Sequence, residues 1–195
     1  MSERIVELRR ATAETEVTLR LDPDGDGRIA IATGLGFLDH MLTSLARHAG
    51  WDLELNCKGD LRVDDHHTAE DCALLLGRAL LEVTARGPAV ARFGWARVPM
   101  DDALADAALD LGGRPWAEVD LGLARPMIGE VACENLTHVL VTLAMEGRFN
   151  LHVDVVRGRN DHHRAEAAFK AVALALRAAL IPTGGPVRST KEAIG

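Results

Sequence analysis

Asp65-His66-His67-Thr68-Ala69-Glu70 and Asp161-His162-His163-Arg164-Ala165-Glu166 are two copies of one short pattern: an aspartate, paired imidazoles and a glutamate. The segments preceding them repeat too. Phe37-Leu38-Asp39-His40-Met41-Leu42-Thr43-Ser44-Leu45-Ala46 lies over Asn135-Leu136-Thr137-His138-Val139-Leu140-Val141-Thr142-Leu143-Ala144 at a constant offset of 98. Leu38 is matched with Leu136, His40 with His138 and Leu45 with Leu143. Trp51-Asp52-Leu53 falls on Phe149-Asn150-Leu151 at the same offset, and the histidine clusters are 96 apart, a difference one turn absorbs. One such cluster alone reads equally well as a helix start with aspartate as N-cap. Two in register with flanking repeats read as a duplicated half that builds a shared site.

Each half is expected to run as strands, helix, strand, turn, helix. Segments 16–21 and 28–32 nearly alternate around Asp22-Pro23-Asp24-Gly25-Asp26-Gly27, which predicts a hairpin. That turn imitates the start of an EF-hand loop, but its twelfth position is Thr33 instead of glutamate. Leu38, Met41, Leu42 and Leu45 make one apolar helical face ending before Gly50. Residues 51–57 alternate as a strand, and 66–86 form a long helix stopped by Gly87-Pro88. The second half predicts strands near 95–100, 105–110, 116–121 and 149–156, with helices near 131–146 and 162–180. The economical architecture is α+β: two halves, 1–94 and 95–181, each a mostly antiparallel sheet with two helices on one face, and a tail, 182–195.

Composition narrows the function classes. The 195 residues, 48% hydrophobic and 26% charged, suit one compact two-lobed unit. A net charge of −7, with no concentration of Lys and Arg, argues against general nucleic-acid binding. Cys57, Cys72 and Cys133 lack any CxxC spacing and read as small buried hydrophobes in a reducing compartment. No apolar signal core opens the chain and Arg177 interrupts the longest apolar run, so a cytoplasmic protein without membrane contact is expected.

The histidines carry the chemistry. On a helix His66 and Glu70 share a face, as do His67 and Glu70, yet adjacent histidines diverge by about 100° and rarely serve one ion together. Each pair is therefore expected to touch two different metals. Adding His40 and His138 gives His40, His66, His67, His138, His162, His163, Glu70 and Glu166: two sites of three imidazoles and one carboxylate. Four protein ligands on an octahedral ion leave two open positions, which suits catalysis. Without thiolate, manganese, iron, cobalt, nickel and zinc all remain open. His48 and His152 have no histidine counterpart and stay outside the set.

At these residues the chain resembles the imidazoleglycerol-phosphate dehydratases. The motifs are Thr33-Gly-Leu-Gly-Phe-Leu-Asp-His-Met-Leu42, Gly59-Asp-Leu-Arg-Val-Asp-Asp-His-His-Thr-Ala-Glu-Asp71, Arg92-Phe-Gly94, Leu109-Asp-Leu-Gly-Gly-Arg-Pro115, Asn160-Asp-His-His-Arg-Ala-Glu-Ala167 and Ser189-Thr-Lys191. They run in order over nearly the whole chain. The resemblance implies a duplicated half of the ribosomal protein S5 domain 2-like type, assembled as a homo-oligomer of 24 subunits. It further implies two Mn2+ per active site at subunit interfaces, one ion taking His40, His67, His162 and Glu166, the other His66, Glu70, His138 and His163. The implied reaction, a step of histidine biosynthesis, removes water from D-erythro-imidazole-glycerol phosphate to give imidazole acetol phosphate. The proton lost lies next to no carbonyl, so a metal-held imidazolate that pushes electrons toward the departing hydroxyl, through a diazafulvene-like intermediate, is what makes it removable.

The resemblance also assigns Glu14 as the acid/base group, in contact with substrate, and Arg92, Arg114, Lys170, Ser189 and Lys191 to the substrate's phosphate side. Read from the residues alone, Glu14 is an exposed strand carboxylate, Arg114 a turn cation and Lys170 a surface residue one turn beyond Glu166. The chain departs from the family at Gly185-Pro-Val-Arg-Ser-Thr-Lys-Glu192, where proline is displaced, Arg188 inserted and Glu192 stands for a glycine. Aromatic residues common beside His138 are also missing. Two other readings of the ligand set are a di-metal phosphate-ester hydrolase and a shell whose ions only hold subunits together.

Overall fold

Alternating apolar residues build two sheets from the two halves. The computed structural model describes residues 4–184. The first half contains β1 (Val6–Ala11), β2 (Thr15–Asp22), β3 (Ile29–Ala32), α1 (Gly36–Ala49), β4 (Asp52–Gly59) and α2 (His66–Arg86). The second contains β5 (Phe93–Met100), β6 (Ala103–Asp110), β7 (Trp116–Asp120), the short pair β8 (Met127–Ile128) and β9 (Val131–Ala132), α3 (Cys133–Glu146), β10 (Asn150–Arg157) and α4 (Asp161–Ala179). Strand order is β1-β2-β4-β3 in one sheet and β5-β6-β10-β7 in the other. In both, two antiparallel joins are followed by a parallel one at the edge. The fold is α+β and duplicated, with β8–β9 the one addition to the second half.

The hairpin expected between segments 16–21 and 28–32 does not form. β4 lies between β2 and β3, and the hairpin partner of β2 is β1, in the register Val6 with Leu21 through Ala11 with Glu16. The acidic turn after β2 is instead held by a side chain. Asp52 accepts the backbone N–H groups of Asp26 and Arg28, both at 2.8 Å. Gly25 is pressed so close to that carboxylate that a Cβ would lie 2.4 Å from it. These donors hold the Asp52 carboxyl below its ordinary value despite its burial, with the Arg28 N–H the largest contribution.

The helices fill the space between the sheets. α1 packs on α4 and α2 on α3, so each helix pair joins one repeat to the other. The repeat positions meet in this core: Leu38 and Leu136, Leu45 and Leu143, and Trp51 and Phe149 are all buried. Close approach of α4 to β5 depends on small residues. Gly94 leaves no room for a Cβ, which would sit 1.9 Å from the Ala175 carbonyl oxygen.

The paired helix starts follow the same logic. Asp65 does not cap its own helix; Asp64 accepts the His66 N–H at 2.9 Å, while Asp65 reaches across the repeat to the Ala132 N–H at 2.8 Å. Asp161 likewise accepts from Ala124 and Arg125, at 3.0 and 2.7 Å. In α4 the cap is Asn160, which accepts the His162 N–H at 2.9 Å. Asp65 thus ties the first turn of α2 to β9 of the other repeat, and Asp161 ties that of α4 to the loop after β7 of its own.

Candidate metal centre

The crossing of helices brings one histidine from each repeat together. In the first group His40 of α1 meets His162 and Glu166 of α4; His40 Nε2 lies 3.4 Å and His162 Nε2 3.3 Å from Glu166 Oε2. In the second, His138 of α3 meets His66 and Glu70 of α2; His138 Nε2 is 3.1 Å from Glu70 Oε1, and His66 Nε2 is 4.0 Å from Glu70 Oε2. Within each group the three ligand atoms lie within 4.8 Å of one another. Imidazole and carboxylate converging at this spacing, without thiolate, fit a divalent first-row ion.

Neighbouring side chains orient these groups. His66 Nδ1 lies 2.9 Å from Asn135 Oδ1, an acceptor that leaves the Nε2 lone pair free to bind an ion. Asn135 is the repeat counterpart of Phe37, whose ring packs edge-on against His162 with centroids 5.1 Å apart. Thr142 Oγ1 lies 3.3 Å from His138 Nε2. Burial would raise the Glu166 carboxyl, but the Lys170 ammonium at 2.7 Å and His40 outweigh it and hold the carboxyl below its ordinary value. His40 is itself positioned by the preceding residue: Asp39 accepts the Thr33 N–H at 2.9 Å and the Thr33 hydroxyl at 2.6 Å, pinning the loop to the helix start.

His67 and His163 join neither group of their own chain. Each is turned away from its neighbouring histidine, with ring centroids 6.1 Å apart for His66 and His67 and 6.0 Å for His162 and His163. His67 Nδ1 faces Asp60 at 3.1 Å and its Nε2 faces Glu14 at 3.7 Å. The Asp60 hydrogen bond, aided by Glu14 and Asp64, holds the imidazole above its ordinary value. His163 Nδ1 faces Asp102 at 2.6 Å and its Nε2 faces Asp101 at 3.6 Å.

Glu14 stands exposed in the turn between β1 and β2. Thr12 Oγ1 accepts the N–H groups of Glu14 and Thr15, at 3.1 and 3.0 Å, and shapes that turn. The Thr15 hydroxyl and the Arg10 guanidinium both bond Asp71, next to Glu70 on α2. The hairpin is thus anchored to the helix that carries His66, His67 and Glu70. Arg92 is half-buried in an ion pair with Asp110, at 2.6 and 2.9 Å. Arg114 is exposed in the loop before β7, and Lys170 is bonded to Glu166. Ser189 and Lys191, with Arg188 and Glu192, lie outside the described residues. Of the side chains now seen beside the ligands, Glu14, Lys170 and Asp60 lie in positions or motifs the resemblance marks, and Asn135 and Thr142 in the aligned repeat segments; Asp102 had no signal.

A duplicated α+β unit bearing two imidazole–carboxylate groups, each drawn from both repeats, defines a class of protein with two candidate sites for divalent metal ions. Residues 33–176 match the family model described as imidazoleglycerol-phosphate dehydratase. Relatives of that name include one from Chlorobaculum tepidum, 45% identical with all of both chains covered. Another, from Phytophthora nicotianae, is 51% identical over 89% of this chain, which spans 38% of that longer protein. The crystal structure of imidazoleglycerol-phosphate dehydratase from Staphylococcus aureus is 33% identical, with a TM-score of 0.84 over 92% of this chain and 99% of that one. The chain belongs to the imidazoleglycerol-phosphate dehydratase family, whose members are hydro-lyases.

Proposed function

We propose that the chain dehydrates D-erythro-imidazole-glycerol phosphate to imidazole acetol phosphate in histidine biosynthesis, with two Mn2+ per active site and each site shared between two copies of the chain. The observation that carries this reading is the split of the ligands. Three donors converge twice, while His67 and His163 each direct Nε2 outward toward carboxylates of their own hairpins. One ion would take His40, His162 and Glu166 of one copy with His67 of a second. Because His67 adjoins His66 on α2, that second copy offers its own His66, Glu70 and His138 beside it. His163 of the first copy then completes the other ion. A homo-oligomer of 24 subunits, as the resemblance implies, would repeat this contact. Exposed Phe93, Trp95 and Trp116 on the outer face of the second sheet support association. Three free cysteines, two of them buried, suit the cytoplasm.

When bound, two divalent ions would supply Lewis acidity to an imidazole substrate. The chain's own groups do the rest. Glu14 moves a proton, at the carbon bearing the second hydroxyl or at the departing hydroxyl. Lys170 keeps Glu166 ionised for ligation. Arg114, Ser189 and Lys191 take the phosphate end, and Arg92 and Lys170 join them by sharing their present partners Asp110 and Glu166. A phosphate-ester hydrolase would need a carboxylate bridging ions ~3.5–4 Å apart. Glu70 and Glu166 belong to different groups, and neither group shares its carboxylate with the other. Purified protein incubated with manganese and imidazole-glycerol phosphate is expected to form the ketone; release of inorganic phosphate without ketone would contradict the reading.

A further inference from the structure

The two histidines left out of their own chain's metal groups share a feature that the other ligands lack: each has a carboxylate on Nδ1. Asp60 holds His67 at 3.1 Å and Asp102 holds His163 at 2.6 Å. Of the two aspartates, Asp102 has the more partners. It lies in the turn between β5 and β6, and its second oxygen, Oδ2, accepts the backbone N–H groups of Arg159 and of Asn160, the latter at 3.2 Å. The carboxylate therefore faces donors on both sides. Oδ1 meets the ring and Oδ2 the two backbone donors, so both oxygens are engaged as acceptors.

We infer that Asp102 is a positioning residue that fixes the tautomer of His163, placing its proton on Nδ1 and presenting a bare Nε2 to the metal completed by another copy, with Asp60 doing the same for His67. The argument is one of matched donors. Backbone N–H groups occupy Oδ2, so Oδ1 is the atom left for the ring, and an acceptor there requires Nδ1–H. With Nδ1 protonated, a neutral imidazole carries its lone pair on Nε2, the nitrogen held less closely by the turn, 3.6 Å from Asp101 against 2.6 Å from Nδ1 to Asp102. The same clasp joins the β5–β6 turn to the start of α4, so ring direction and tautomer are set together. His40 and His138 show no such partner on Nδ1 among the described residues, and their own chain already directs them by packing. The carboxylates sit where an outward-facing ligand must be held without help from its future partner ligands.

The substitution Asp102→Asn separates the two roles of this side chain. Its amide oxygen can keep accepting the Arg159 and Asn160 N–H groups, while its NH2 then faces His163 and imposes the opposite tautomer, with the proton on Nε2. The measurement is manganese affinity of the full-length chain, by paramagnetic resonance of free Mn2+, with the melting temperature of metal-free protein recorded alongside. Asp102→Asn is expected to weaken one of the two ions per chain by about tenfold or more while melting as the native chain does. Asp102→Ala, which loses the clasp as well, is expected to lower both affinity and melting temperature. Native manganese affinity in Asp102→Asn would overturn the inference. So would an affinity loss accompanied by the same fall in melting temperature as in Asp102→Ala, since Asp102 would then be a structural clasp. The inference rests on the metal reading, and His162→Ala separates the two. If His162→Ala loses an ion and Asp102→Asn does not, only the tautomer argument fails; if neither loses one, the metal reading itself fails.

Discussion

At the scale of single residues, the site divides into ligands that read from sequence and supports that do not. His40, His66, His138, His162, Glu70 and Glu166, which the structure brings together in two groups, were legible because the chain writes them twice, and equivalence across the repeat turns an ambiguous histidine into a candidate ligand. Asn135, Asp60 and Asp102 act on rings 69, 7 and 61 positions away, contacts that only folding brings about. Glu14 is the sharpest case. It is exposed and bonded weakly, yet its turn is anchored through Thr15 and Arg10 to Asp71 on α2. Glu14→Gln keeps the shape and removes the proton-carrying group. The variant is expected to bind manganese and substrate as the native chain does and to lose turnover by about a hundredfold or more. Steady-state kinetics with parallel metal analysis checks this; undiminished turnover would remove Glu14 from the mechanism.

At the scale of elements, helices were easier to read than strand pairing. α2 spans the expected 66–86 because its apolar face and the Gly87-Pro88 stop are local signals. Pairing is not local. β2 and β3 are neighbours in sequence and were expected to be neighbours in the sheet, but β4 lies between them. β1 escaped notice because most of its residues are exposed, so it shows little alternation. The acidic turn that links β2 to β3 depends on Asp52, which gives a pH signature. Asp52 has a lowered folded value, so its contribution is present above the ordinary value of 3.8 and is lost as pH falls through the folded one. Denaturant unfolding between about pH 3 and pH 6 should show stability falling on acidification, and falling less steeply in Asp52→Asn. Equal slopes would mean that the backbone donors on Asp52 contribute nothing measurable.

At the scale of the whole molecule, duplication was visible in the offset of 98 between Trp51 and Phe149, both now in the core. What the offset could not tell is which helix faces which. α1 packs on α4 and α3 on α2, so each metal group takes its lone helix histidine from the opposite repeat. The same geometry leaves His67 and His163 facing outward, one beside each group, and this is why the account needs two copies of the chain. Subunit complementation tests that need most directly. His67→Ala and His163→Ala chains, each purified, are stripped of metal, mixed in equal amounts and given manganese again. Alone, each variant spoils one ion in every site and is expected to be inactive. In the mixture, a contact that pairs the intact His163 of one variant with the intact His67 of the other is complete, so activity should return to about a quarter of the native level for random pairing. A mixture as inactive as its components would contradict a site shared between copies.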